Sequence, residues 1–134
     1  VNKTKRKKQR KRVQRLADKW FGPLGLLWWD RIRLVYSTER AGFKGANDTE
    51  AVFEVWSAWE YLAADIKVNL KLVATIDDYR LERCFVHECV HILLNEMQAE
   101  GADHKHEERT VTRVMQAIFW VRAAAQTGKL KGKT

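Results

Sequence analysis

The segment Phe85-Val86-His87-Glu88-Cys89-Val90-His91-Ile92-Leu93-Leu94 limits most tightly what this chain can become. It sets two imidazoles and a carboxylate inside an apolar run, in the order HExxH. On an α-helix, residues four apart lie one turn above each other, so His87 and His91 can grip one metal ion with Glu88 beside it. Val86, Val90, Leu93 and Leu94 give the same helix an apolar stripe to fix it in a core. The competing interpretation, two core histidines with ordinary hydrogen-bond partners, ranks below the metal site because the motif carries a mechanism.

A chain of 134 residues fits one domain with a single core. Its net charge of +8 suggests a nucleic-acid binder until the charge is located. Residues 1–19 hold ten Lys/Arg and one Asp, whereas residues 20–134 hold 15 basic and 16 acidic groups. The basicity belongs to the N-terminal end. The expected organisation is a basic flexible tail over 1–12, one folded domain over 13–128 and a frayed end over 129–134. Cys84 and Cys89, five apart on the motif helix, point in different directions and make a poor disulfide. Without further cysteines there is no disulfide framework or zinc ribbon, and a reducing compartment follows. The apolar run 20–29 is broken by Gly22-Pro23 and Gly25 and followed by Asp30-Arg31, which argues against a secretory signal. No segment approaches the roughly 20 apolar residues that span a bilayer. The expectation is a soluble, cytoplasmic monomer with no membrane partner.

Periodicity predicts an α+β fold: an N-terminal helix, a small three-stranded sheet, the motif helix and a C-terminal helix. Val13, Leu16, Ala17 and Trp20 predict a helix from Arg10 to Trp20, ended by the Gly/Pro cluster. Alternation predicts a first strand over 28–37, and a loop follows over 41–48. Residues 51–59 fit either period, and their β-branched and aromatic content favours strand. Residues 62–71 alternate cleanly, with Asp65, Lys67 and Lys71 suited to protecting an exposed edge. The functional alternative is that this edge stays open to accept a peptide as an added strand, along Ala64 to Val68. Asp77 or Asp78 caps the motif helix. Gly101 and Asp103 mark a turn before the last helix, whose stripe is Val111, Val114, Met115, Ile118, Phe119 and Val121. The six tryptophans fall mostly in apolar-patterned segments and are expected to pack in the core rather than stack on bases.

A zinc ion on two histidines needs a third protein ligand, with the fourth position left to water in a catalytic site. Downstream candidates are Glu96, Glu100, Asp103, His104, His106, Glu107 and Glu108. Glu107 is in phase with Val111, Val114 and Ile118; Glu108 lies about 100° further round and fits only if the helix is rotated. Rise per residue adds a condition. If the motif helix ran to Glu100 it would end ~13 Å beyond His91, while Glu107 returns only ~6 Å from Asp103. An end between Asn95 and Met97 shortens the outward leg to ~7 Å, so an early stop and an irregular loop to His104 are predicted. His104 and His106 are either plain loop residues or participants, as ligand or oxyanion donor, and Tyr79 is another possible oxyanion donor. Cys84, one turn before His87, is expected in the core.

With HExxH, a preceding alternating strand and a downstream helix opening on His106-Glu107-Glu108-Arg109-Thr110, the chain resembles the gluzincin zinc metallopeptidases. Its size is similar to the minimal versions, the minigluzincins of phage and other prokaryotic genomes. The resemblance covers roughly residues 28–122 and implies a zincin-like domain. It implies one Zn2+ bound by His87, His91 and Glu107, with Glu88 as general base in peptide hydrolysis. The His91-to-Glu107 spacing is shorter than in large gluzincins, and Val111 stands where an Asp often follows the glutamate ligand. A three-histidine site would be similar to DNA-repair peptidases of the SprT type, whose C-terminal zinc ribbon is missing here. The alternative function is a nucleic-acid- or partner-binding protein with a structural zinc, using the basic residues 3–15.

Overall fold

A computed structural model describes residues 3–37, 51–95 and 104–127. Three strands, β1 (Arg31–Tyr36), β2 (Phe53–Ala58) and β3 (Ala63–Val68), form a mixed sheet in the order β1-β3-β2. β1 runs parallel to β3 and β2 antiparallel to it. The register aligns Leu34, Ile66 and Val55 in one row and Tyr36, Val68 and Phe53 in the next. Because side chains alternate across a strand, these rows share the face that meets the helices. The opposite face is wet, and there Arg33 donates two hydrogen bonds to Asp65, at 2.9 and 3.0 Å.

β3 is the central strand, which corrects the expectation of an edge. Its N–H and C=O groups are engaged by β1 on one side and β2 on the other, so no peptide can add along Ala64 to Val68. Alternation reports that one face is buried, not where in the sheet a strand lies. Asp65 and Lys67 guard no edge; Asp65 sits between Arg33 and Trp56, and Lys67 between Val35 and Glu54. β3 also stops at Val68. Asn69, fully buried, caps the short helix α2 (Leu70–Val73) by accepting from the Leu72 N–H at 3.4 Å. At the start of the sheet, Leu26–Trp28 form a 3-10 turn after Gly25, whose φ of 75° suits glycine, so β1 begins at Arg31 rather than at 28.

Helix α1 (Lys3–Trp20) starts well inside the segment expected to be a tail. Gln9, Val13, Ala17 and Trp20 form its buried stripe. Arg12 secures it: the guanidinium donates to the backbone carbonyls of Val73 and Ile76, both at 2.8 Å, and pairs with Asp78. The domain boundary at 12 therefore dissolves. Residues 3–9 looked unstructured because they hold no apolar residue; the stripe is carried by Val13, Ala17 and Trp20, and the one buried side chain before them is the polar Gln9.

Helix α3 (Asp78–Leu94) is the centre of the packing. Asp77 caps it, accepting from the Arg80 N–H at 2.8 Å, and it ends at Leu94, at the early limit expected. Phe85 lies between Phe21 and Phe53, with ring centroids 5.8 and 5.6 Å away. Val111, Met115 and Phe119 from α4 (His104–Gln126) close the other side. Glu82 ties three helices together, accepting from Lys19 at 2.6 Å, Trp20 Nε1 at 2.9 Å and Arg122 at 2.7 Å. Burial pushes its carboxyl up, but these donors outweigh that and hold it below the usual range.

Trp20 is buried as expected, but Trp28, Trp56 and Trp120 are exposed. Each sits in an apolar-patterned segment yet out of phase with its buried side; Trp56, for example, falls on the wet face of the sheet. Both cysteines are free thiols. Among the described residues no helix is long and apolar enough to cross a membrane. The loop expected over 41–48, the turn at Gly101 and Asp103 and the end over 129–134 lie outside the described residues.

Candidate metal centre

Helical spacing brings the two imidazoles together. The Nε2 atoms of His87 and His91 are 3.2 Å apart, and the rings meet edge to face. The side chain that closes on them is Glu108, with Oε1 2.7 Å from His87 Nε2 and Oε2 3.1 Å from His91 Nε2. Among the described residues, His87, His91 and Glu108 form the one group whose ligand atoms converge, all within 4.8 Å. The donor set fits zinc. With metal–ligand distances of about 2.0–2.1 Å and tetrahedral angles, neighbouring donors would stand about 3.3 Å apart. The two Nε2 atoms, 3.2 Å apart, stand near that value, and Glu108 approaches them through different oxygens, Oε1 at His87 and Oε2 at His91.

Glu107, expected to supply the third ligand, instead faces the other nitrogen of His91, with Oε1 2.9 Å from Nδ1. The reason lies in the phase of α4. The expected stripe included Val114, which is exposed, while the buried residues are Val111, Met115 and Phe119. At 100° per residue, that change turns the inward face by roughly 60°, so Glu108 points to the histidine pair and Glu107 to its flank. Glu107 is the more enclosed of the two, at 7% against 45% side-chain exposure. Its Oε2 is buried without a hydrogen-bond partner.

Carboxylates face both nitrogens of His91, Glu107 at Nδ1 and Glu108 at Nε2. With a metal ion bound between the Nε2 atoms and Glu108, the His91 hydrogen would sit on Nδ1 and be donated to Glu107. Burial lowers the pKa of His87, as does His91, against the pull of Glu108. The neutral form that it favours is the one that binds metals.

Glu88 lines a cleft beside the cluster. The cavity, ≈ 480 Å³, is walled by Phe53 of β2, by Cys84, His87 and Glu88 of α3 and by Met115 of α4, with Arg83 among its lining residues. Burial, together with the charges of Glu108 and Glu54, pushes the Glu88 carboxyl up to about 8. Cys84 opens on the same cleft, but its thiol is not one of the converging ligand atoms. Burial and the neighbouring Glu88 raise its pKa and keep it protonated.

Tyr79 lies two helical turns before His87, packed on Phe119 with centroids 6.0 Å apart, and is exposed there. That position removes it from the oxyanion candidates. The side chains of His104 and His106, and residues 96, 100 and 103, lie outside the described residues. Sequence reasoning missed the pairing of adjacent carboxylates with the two nitrogens of one ring; the available signal was the heptad-like row Glu108, Val111, Met115, Phe119.

Compared with known proteins, the chain matches no family model, and no curated protein or solved structure matches it at a significant level.

Proposed function

We propose that this protein is a zinc-dependent peptidase of the zincin type, similar to the minigluzincins, with His87, His91 and Glu108 as its metal ligands. The observation that carries the reading is Glu88, a half-buried carboxyl beside the convergent triad, in a cleft large enough for a substrate side chain. A zinc ion bound there would acidify a water molecule and polarise a scissile carbonyl. A purely structural site has no use for such an acid–base group. The 2-His-1-carboxylate set also suits iron, but the adjacent glutamate is what hydrolysis requires.

Glu88 acts as the general base and then the general acid. It takes a proton from the attacking water and returns it to the leaving amine nitrogen. His91, held by Glu107, and His87 keep their Nε2 atoms directed at one point. Since β3 is closed on both sides, the substrate strand is assigned to β2. Its outer side carries no strand among the described residues, and Phe53 lines the cleft with His87 and Glu88. An extended peptide added there would lie beside the triad.

The test is direct. Purified wild type is expected to hold about one zinc per chain by elemental analysis and to cleave a quenched fluorogenic peptide pool. Glu88→Gln keeps the zinc and loses cleavage, while His91→Ala loses both. Undiminished cleavage by Glu88→Gln would refute the assignment of the base, and a metal-free wild type would refute the site.

A further inference from the structure

The charge on α1 is arranged, not merely abundant. Opposite the buried stripe, Lys3, Lys7, Lys11 and Arg15 recur at every fourth residue, all exposed, with Lys8 alongside. Four residues rise about 6 Å, so the row spans about 18 Å, a length over which duplex nucleic acid carries roughly ten phosphate charges. Asp18 is the only acidic residue of the helix. Other cations of α1 serve the body instead: Arg12 caps carbonyls, Lys19 pairs with Glu82, and Arg10 lies 5.0 Å over the Tyr36 ring.

We propose that the row Lys3-Lys7-Lys11-Arg15 is a docking surface for the phosphate backbone of nucleic acid, reading charge and not base sequence. Two observations favour a nucleic acid over a membrane. The apolar stripe of α1 is covered by the body, with Val13 0% and Ala17 2% exposed, so the helix has no apolar face to insert between lipids. The Arg12 hydrogen bonds also anchor the row, so it meets a polyanion as a fixed line of charge rather than a mobile tail. Residues 20–134 carry 15 basic and 16 acidic groups, so the net positive charge of the chain comes from residues 1–19. The inference does not depend on the peptidase reading.

The experiment is an anisotropy titration of the full chain against a fluorescein-labelled 20-base-pair duplex in 50 to 200 mM KCl. Four phosphate contacts give a log–log salt slope near −3.6, a fall of about 150-fold in affinity across that range. A second duplex of unrelated sequence is expected to bind equally. K3Q/K7Q/K11Q/R15Q alters only exposed side chains, so it is expected to melt as wild type while losing the binding and its salt slope. No wild-type binding at 50 mM, unchanged binding by the folded quadruple variant, or tighter binding to vesicles containing phosphatidylserine than to the duplex would each overturn the proposal.

Discussion

Adjacent carboxylates on one turn of α4 meet opposite nitrogens of a single imidazole: Glu107 at His91 Nδ1 and Glu108 at His91 Nε2. In the proposed zinc site the first would orient the ring and the second would share its metal-facing side. Glu107→Ala is accordingly expected to weaken zinc binding about 10–100-fold in a chelator competition, with Glu107→Gln recovering most of the loss because an acceptor remains. Equal affinity across wild type and both variants would remove the supporting role. At this scale His87, Glu88 and His91 were legible in the sequence, because four-residue spacing on one helix is a local property. The choice between Glu107 and Glu108 was not. It turns on whether Val114 or Met115 faces inward, and only packing against α3 decides that.

Among the elements, α3 depends on Glu82 to join it to α1 and α4. The folded-state pKa of Glu82 lies below its unfolded value, so the contribution to stability is full above that unfolded value, near 4.5. It declines as pH falls through the lower folded value. Glu82→Gln is expected to cost about 2 kcal/mol at pH 7 in urea unfolding, with the gap to wild type closing below pH 4. A gap that widened in acid would contradict the assignment. Two elements followed from local signals, the cap at Asp77 and β2 from the β-branched and aromatic content of its segment, while the end of α3 at Leu94 followed from the distance a downstream carboxylate must cover to return to His91. The place of β3 in the sheet and the reach of α1 to Lys3 did not. The first depends on partners distant in sequence; the second on a stretch, Lys3 to Gln9, that holds no apolar residue and extends a helix anchored further on by Val13, Ala17 and Trp20.

For the molecule as a whole, the triad bridges α3 and α4, so zinc bound there would act as a cross-link between the two helices. Free zinc at one hundred times its dissociation constant is expected to add about 2.7 kcal/mol to stability. Calorimetry with zinc and with chelator measures the increment, and His91→Ala should abolish it; a wild-type melting temperature indifferent to zinc would contradict the bridge. The strand order carries a separate consequence, for how the chain folds. β2 and β3 pair across a short connection, Ala58 opposite Ala63, whereas β1 meets β3 across 32 positions, Arg31 beside Ala63. Closing the longer loop costs more chain entropy, and nothing repays it until β3 is in place. The antiparallel pair is therefore expected to form first, and β1, ahead of both in the chain, to join the sheet only once β3 has emerged from the ribosome.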